Sequence, residues 1–223
     1  MRERNEDAFL DYPAQGVWVV ADGMGGHQSG DVASQLIVSR IAALNSHARL
    51  EARAQALRQC VLDVHQQLGE LAAGDGRSSV IGSTVVALMI EGPRAICMWA
   101  GDSRCYLWRQ QRLYQLSRDH TLLQRLLDEQ KISPQQALRH PQAQALTRAV
   151  GTREKLHLDV VELNVQQNDV FLLCSDGLHQ ALDHSTLGHA LNMASPYAAL
   201  STMFDITLSG AAVDNLTAVV IHT

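Results

Sequence analysis

Aspartates that close apolar runs constrain this chain more than any other feature. Asp22 follows Trp18-Val19-Val20-Ala21, Asp102 follows the run from Ala95 to Gly101, and Asp176 follows the run from Val170 to Ser175. Asp7, in Asn5-Glu6-Asp7, and Asp214, in Asp214-Asn215, add two more carboxylates from distant stretches of sequence. A carboxylate taken out of water is costly unless positive charge compensates it. Strands that all finish in aspartate satisfy that demand when their ends meet at one edge of the sheets around divalent cations.

The chain has 223 residues, of which 46% are apolar, and this suits one domain spanning 1–223 with a single substantial core. Its longest uncharged apolar stretches, Val17 to Ala21, Val80 to Ile90 and Ala95 to Ala100, are strand-sized and far short of a bilayer span. No signal-peptide core is evident at the start, so the expectation is a cytoplasmic, monomeric protein without membrane association. Cys60, Cys97, Cys105 and Cys174 form no CxxC pair, which indicates neither a disulfide framework nor a zinc cluster. The net charge of -5 and the scattered basic residues argue against a nucleic-acid partner and suit a cation-filled site.

Val17 to Ala21 reads as a buried strand. Ala33, Leu36, Ile37, Ile41 and Leu44 then recur at helical spacing, and Leu57, Val61, Val64, Leu68 and Leu71 form a second helical stripe ended by Gly74-Asp75-Gly76. From Ser83 the pattern becomes strand-like: Ser83 to Ile90, Arg94 to Ala100 after Gly92-Pro93, then Cys105 to Arg109 and Leu113 to Leu116 around Gln110-Gln111. Short turns between consecutive strands predict an antiparallel meander. Helices are expected at Leu122 to Gln130 and after the Ser133-Pro134 cap, strands at Leu156 to Val165 and Val170 to Ser175, helices at Ser185 to Met193 and Pro196 to Leu208, and a closing strand at Leu216 to His222. Such a succession predicts an α+β fold, a central two-sheet β-sandwich flanked by helices on both sides.

A site of carboxylates and carbonyls, with no Cys or His cluster at ligand spacing, selects hard octahedral cations, Mn2+ or Mg2+, over zinc or copper. Two such ions sharing one carboxylate lie about 3.5–4 Å apart, close enough to activate a shared water for in-line displacement at phosphorus. Hydrolysis of a phosphate ester is the chemistry this donor set predicts.

The motifs Arg2-Glu3-Arg4-Asn5-Glu6-Asp7-Ala8, Ala21-Asp22-Gly23-Met24-Gly25-Gly26-His27, Gly82-Ser83-Thr84, Gly101-Asp102-Ser103-Arg104, Asp119-His120-Thr121, Leu146 to Gly151, Cys174-Ser175-Asp176-Gly177-Leu178 and Asp214-Asn215-Leu216-Thr217 resemble, in order, the motif set of bacterial type 2C serine/threonine protein phosphatases. The resemblance runs from Arg2 to the C-terminal segment. It implies hydrolysis of phosphoserine and phosphothreonine in proteins by a metal-bridged hydroxide, with two ions held tightly and a third more loosely. It also implies a partner Ser/Thr kinase, or that kinase's targets, in signalling or secretion control.

Carried over residue by residue, the resemblance makes Asp22 the bridging ligand and the Gly23 carbonyl a ligand of one ion, with Asp176 and Asp214 completing that ion. Asp7 faces the second ion, with Glu6 as its rival because neighbouring strand residues point oppositely. Asp102, with Asp176, matches the third position. Arg2 matches the arginine that grips the substrate phosphate with its planar fork, and His27 is a candidate proton donor to the leaving alkoxide or else a hydrogen-bond partner behind the ligands.

Other readings of the same residues are plainer. Arg104 reads as a charge partner for nearby aspartates, Asp119-His120 as a pair fixing a loop, Asn215 as a turn-maker, and His179, His184 and His189 as surface residues. The glycine-rich stretch 23–26 lacks the spacing of a nucleotide loop. Because only Met1 precedes Arg2, the strand that ordinarily precedes the arginine motif is expected to be missing. The segment from Gly151 to Leu163 occupies the place of a substrate-recognising flap. A same-fold phosphatase of an anti-sigma-type regulator and a non-catalytic phosphoprotein-binding pseudophosphatase are the rival functions.

Overall fold

Alternate residues of the stretch 17–21 part to opposite sides of a sheet: Val17, Val19 and Ala21 join one apolar cluster, Trp18 and Val20 another. This period of two, repeated through the chain, builds the architecture. The structure, a computed structural model, describes residues 4–25, 29–44, 49–74, 81–129, 132–210 and 214–223. Its elements in order are β1 (Asp7–Tyr12), β2 (Val17–Gly25), α1 (Gly30–Ala42), α2 (Leu50–Gly74), β3 (Ile81–Ser83), β4 (Val85–Glu91), β5 (Arg94–Ala100), β6 (Arg104–Arg109), β7 (Arg112–Gln115), α3 (Leu122–Asp128), α4 (Pro134–Leu138), β8 (Asp159–Asn164), β9 (Val170–Cys174), α5 (Asp176–His179), α6 (His184–Leu191), α7 (Pro196–Ser209) and β10 (Ala218–His222).

One sheet runs β1-β2-β4-β5-β8 with β3 paired to β2, and the other runs β10-β9-β6-β7. The described strand pairs are all antiparallel. Between the sheets lie Trp18, Val86, Leu88, Cys97 and Trp99 from the first and Cys105, Leu107, Phe171, Leu173 and Ile221 from the second. The outer face of the first sheet packs on α1 and α2 through Ile37, Leu57, Val61 and Leu68. The outer face of the second packs on α5 to α7 through Leu178, Leu187, Leu191 and Met203. The four-layer sandwich expected from the sequence is therefore the observed fold. Phe171 is fully buried in the central layer, so truncating it to alanine costs about 3–5 kcal/mol. The two inter-sheet tryptophans keep their polar tips satisfied: Trp18 Nε1 donates to Asp11 Oδ1 at 2.9 Å and Trp99 Nε1 to the Arg118 carbonyl at 2.8 Å.

Two expectations change. The strands from 83 to 116 do not form one meander: β4–β5 and β6–β7 are hairpins in different sheets. The chain crosses between them at Gly101, whose φ of +112° and closeness to Thr84, 2.6 Å from where a Cβ would stand, demand glycine. The sequence reading also assigned no strand to 7–12, which forms β1, an edge of the larger sheet among the described strands. Elsewhere the local signals hold. Ser133 and Gln136 form a reciprocal capping box with Pro134 in the first turn of α4, and Gln110 and Gln111 both adopt positive φ in the β6–β7 turn.

Candidate metal centre

Strand register brings the first two carboxylates together: Asp7 of β1 and Asp22 of β2 are direct cross-strand partners, so their side chains share one face of the sheet. Asp102 lies just past the Gly101 crossing, and Asp176 opens α5 directly after β9. Asp214 stands in the turn leading to β10 and adjoins Gly177, where a Cβ would come within 3.3 Å of the Asp214 side chain and 2.1 Å of the Asn215 carbonyl. Only glycine lets α5 sit that close to the turn.

The carboxylates feel one another as like charges. Burial first, and then Asp7, Asp176 and Asp102, push the Asp22 carboxyl up to about 10. Burial, then Asp176 and Asp119, push Asp102 up to about 7. Asp7 is also raised, by burial above all, with Asp176 and Asp214 adding to it, against the lowering effect of hydrogen bonds from Thr217 and Ser175. The structure thus assembles Asp7, Asp22, Asp102, Asp176 and Asp214 at one end of the sandwich.

Ser175 is the fulcrum of that end. Its hydroxyl donates to Asp7 Oδ2 at 2.8 Å and accepts from the Thr217 amide at 3.1 Å, tying β1, β9 and the start of β10 together. The other oxygen of Asp7, Oδ1, is buried with no hydrogen-bond partner among the described residues. The Glu6 carboxylate lies beside Gly30, its Oε1 2.7 Å from where a Cβ would stand, and the Gly23 main chain is 2.9 Å from the same point. Asp7 instead feels the charges of Asp176 and Asp214. Gly23 is wedged between the Gly30 and Glu6 carbonyls, 2.1 and 2.5 Å from an added Cβ, and its amide donates to the Glu6 carbonyl at 3.1 Å.

A hard divalent cation suits these residues on three grounds: an unpartnered buried carboxylate oxygen, a glycine cradle that admits no side chain, and an all-oxygen donor set. Among the described residues no three His, Cys, Asp or Glu side chains already close on a single point, so this is a gathering of neighbouring carboxylates and not a finished cage. Arg2 and His27, the sequence candidates for phosphate grip and proton donation, lie outside the described residues.

Several residues given plain roles by sequence support this end. Arg104 grips Asp119 with two hydrogen bonds, 2.8 and 2.6 Å, and reaches Tyr106 Oη at 2.8 Å, in agreement with its reading as a charge partner. His120 Nδ1 accepts the Gly101 amide at 3.1 Å while its ring stacks on Trp99, which gives the Asp119-His120 pair its loop-fixing role. Asn215 does more than make a turn: its side chain accepts from the Glu6 amide at 3.0 Å and donates to the Arg4 carbonyl at 3.0 Å, clamping the segment before β1. His179 is a correction. It is largely withdrawn from the surface, bonds the Asp102 carbonyl at 2.9 Å, and has its pKa depressed to about 4 by burial and by Arg104. His184 and His189 are exposed as expected. Ser175 carried a usable signal, its place immediately before Asp176; His179, 77 residues from its partner, carried none.

The class of structure is a helix-flanked double sheet with neighbouring carboxylates at one end. Compared with known families, residues 2–209 match the one described as Protein phosphatase 2C, and the chain belongs to that family. The serine/threonine protein phosphatase PstP of Mycobacterium tuberculosis is 32% identical over 227 residues, covering 99% of this chain; the chain spans only 42% of that relative's length. Among solved structures, one described as PppA, a key regulatory component of T6SS in Pseudomonas aeruginosa, is 43% identical with a TM-score of 0.91, covering 99% of this chain and 92% of that one. The catalytic domain of PstP in complex with 2 manganese ions is 30% identical with a TM-score of 0.83, covering 99% and 92%.

Proposed function

We propose that this chain is a metal-dependent protein phosphatase that hydrolyses phosphoserine and phosphothreonine. The observation that carries the reading is the convergence of Asp7, Asp22, Asp102, Asp176 and Asp214 at one end of a type 2C fold. Asp22, Asp7, Asp176, Asp214 and the Gly23 carbonyl hold two divalent cations, Mn2+ or Mg2+, and Asp102 with Asp176 holds a third more loosely. Bound cations supply the charge that activates water and stabilises the phosphoryl oxygens.

The protein's own part is orientation. Ser175 fixes one oxygen of Asp7 and leaves the other for a cation, while Thr84 Oγ1 accepts the Asp22 amide at 3.0 Å and holds the end of β2 in place. Arg2 grips the substrate phosphate, and His27 donates the proton to the departing alkoxide. The partners are phosphoproteins made by a Ser/Thr kinase. The likeness to PppA supports a role in secretion control. Among the described residues no helix is long and apolar enough to cross a membrane, and we place the activity in the cytoplasm.

Hydrolysis of p-nitrophenyl phosphate with Mn2+, with and without EDTA, tests this reading alongside Asp22→Asn and Asp214→Asn. The expected outcome is metal-dependent turnover that each variant lowers by roughly a thousandfold. Turnover that survives EDTA, or is unchanged in both variants, would overturn it.

A further inference from the structure

One cavity is separate from the aspartate cluster. It is a groove of about 870 Å³ between the C-terminal part of α2, α3 and the segment 142–154, within the size range of a binding site. Its α2 wall is made of Gly69, Ala72 and Ala73, small residues that leave room for main chain, and among the described residues its charged lining is Arg125, Arg148, Arg153 and Glu154. In a chain with net charge -5, this is a local reversal of sign.

The arginines are not equivalent. Arg148 is held rigidly: it bonds Asp159 Oδ1 at 2.5 Å, His120 Nε2 at 3.1 Å and the His157 carbonyl at 3.3 Å. Arg125 and Arg153 are exposed, and neither has a carboxylate partner among the described residues. Guanidinium groups left open in this way suit carboxylates, which they can engage two oxygens at a time.

The groove is also coupled to the candidate centre through backbone. Gly151 in its wall has φ +87° and sits 2.2 Å, measured from an added Cβ, from the Ile81 carbonyl. Val150 exchanges hydrogen bonds with Ser83 at 2.9 and 3.0 Å, and Ser83 is the cross-strand partner of Gly23. On α2, His65 Nδ1 accepts the Gly151 amide at 3.0 Å and pins this wall from the other side. The groove thus begins two backbone segments away from Gly23.

We infer that this groove docks an acidic segment of the phosphoprotein substrate, with Arg125 and Arg153 reading Asp or Glu side chains a few residues from the phosphorylated serine or threonine. The inference rests on the phosphatase reading and adds to it a substrate class, acid-flanked phosphosites. A peptide is favoured over a nucleotide because the groove's lining, among the described residues, contains no aromatic residue on which a base could stack and is walled by small side chains that suit an extended chain.

The test uses the Mn2+-loaded protein and the double variant Arg125→Glu/Arg153→Glu, neither residue belonging to the metal centre. Three substrates are compared at low salt: a phosphopeptide flanked by aspartates, the same peptide flanked by alanines, and p-nitrophenyl phosphate. The variant is expected to raise KM for the acidic peptide about five- to tenfold and to leave the other two substrates unchanged. In parallel, fluorescence anisotropy in EDTA measures binding of the unphosphorylated acidic peptide, which wild-type protein captures and the variant does not. Equal KM changes on all three substrates, or equal peptide capture by both proteins, would overturn the inference. So would displacement of the peptide by ATP at lower concentration than by unlabelled peptide. If wild-type protein turns over none of the substrates, the phosphatase reading fails, and the anisotropy arm still decides the groove.

Discussion

Asp7 and Asp22 stand opposite each other as cross-strand partners at the open end of the β1–β2 ladder, two carboxylates on one face of one sheet. Like charges placed so are unfavourable in the absence of a counter-charge, and here Asp176 and Asp102 sharpen the conflict. On the proposed reading, cations set the stability of this end as well as its activity.

Replacing Asp22 with asparagine should therefore have opposite effects in two conditions. In EDTA the variant melts higher than wild type by about 2–4 °C for each kcal/mol of repulsion relieved. In saturating Mn2+ the order reverses, because the variant has lost a ligand. Differential scanning fluorimetry with and without metal reads both; a variant less stable than wild type in EDTA would show that Asp22 is held by favourable contacts instead.

Gly101→Ala tests the crossing between sheets. An alanine at φ +112° whose Cβ falls 2.6 Å from Thr84 is strained twice over and should destabilise the fold by about 1–3 kcal/mol or more. Urea denaturation with an unchanged m-value is the measurement. A loss of under about half a kcal/mol would mean that the crossing relaxes easily.

Asn215→Ala removes two hydrogen bonds that hold the segment before β1. At about 0.5–1.5 kcal/mol apiece, their loss should loosen the stretch that leads to Arg2. KM for a phosphopeptide then rises several-fold more than kcat falls, and Arg2→Lys shows the same split. An effect confined to kcat would place Asn215 with the metal ligands and not with substrate grip.

His120 supplies a pH signature. It is buried, and burial first and the Arg148 charge next hold its pKa below the usual 6.5, against the opposing pull of Asp159. The folded protein accordingly binds fewer protons at this site than the unfolded chain. Its contribution to stability is present above about 6.5 and is lost as pH falls through the depressed folded value, with a slope of up to about 1.4 kcal/mol per pH unit. The raised carboxylates work the other way, so the difference between wild type and His120→Asn isolates the histidine: the gap in unfolding free energy narrows from pH 7.5 to pH 5. A gap independent of pH would show that His120 does not titrate in this range.

The carboxylates were legible because each closes a run that can only be a strand, and strand ends gather at sheet edges. Asp22, Asp102 and Asp176 could be marked on that ground alone. Sheet membership could not be read: Ala95 to Arg109 looks the same locally whether the chain turns back on itself or crosses at Gly101 to the second sheet. β1 escaped notice for a related reason. At a sheet edge it buries little, and Phe9 is 59% exposed, so its alternation is faint. The supporting contacts were the least visible, since His120 meets Gly101 across 19 residues and Asn215 meets Glu6 across 209. Partners of that kind are chosen by the finished fold and leave no local pattern.

The bond from Ser175 to Asp7, 168 residues apart, and its companion to Thr217 join early-made and late-made polypeptide in a single contact. The first sheet is itself completed late, since its strand β8 ends at Asn164, shortly before Asp176. A product that stops short of Ser175 therefore leaves Asp7 without this anchor.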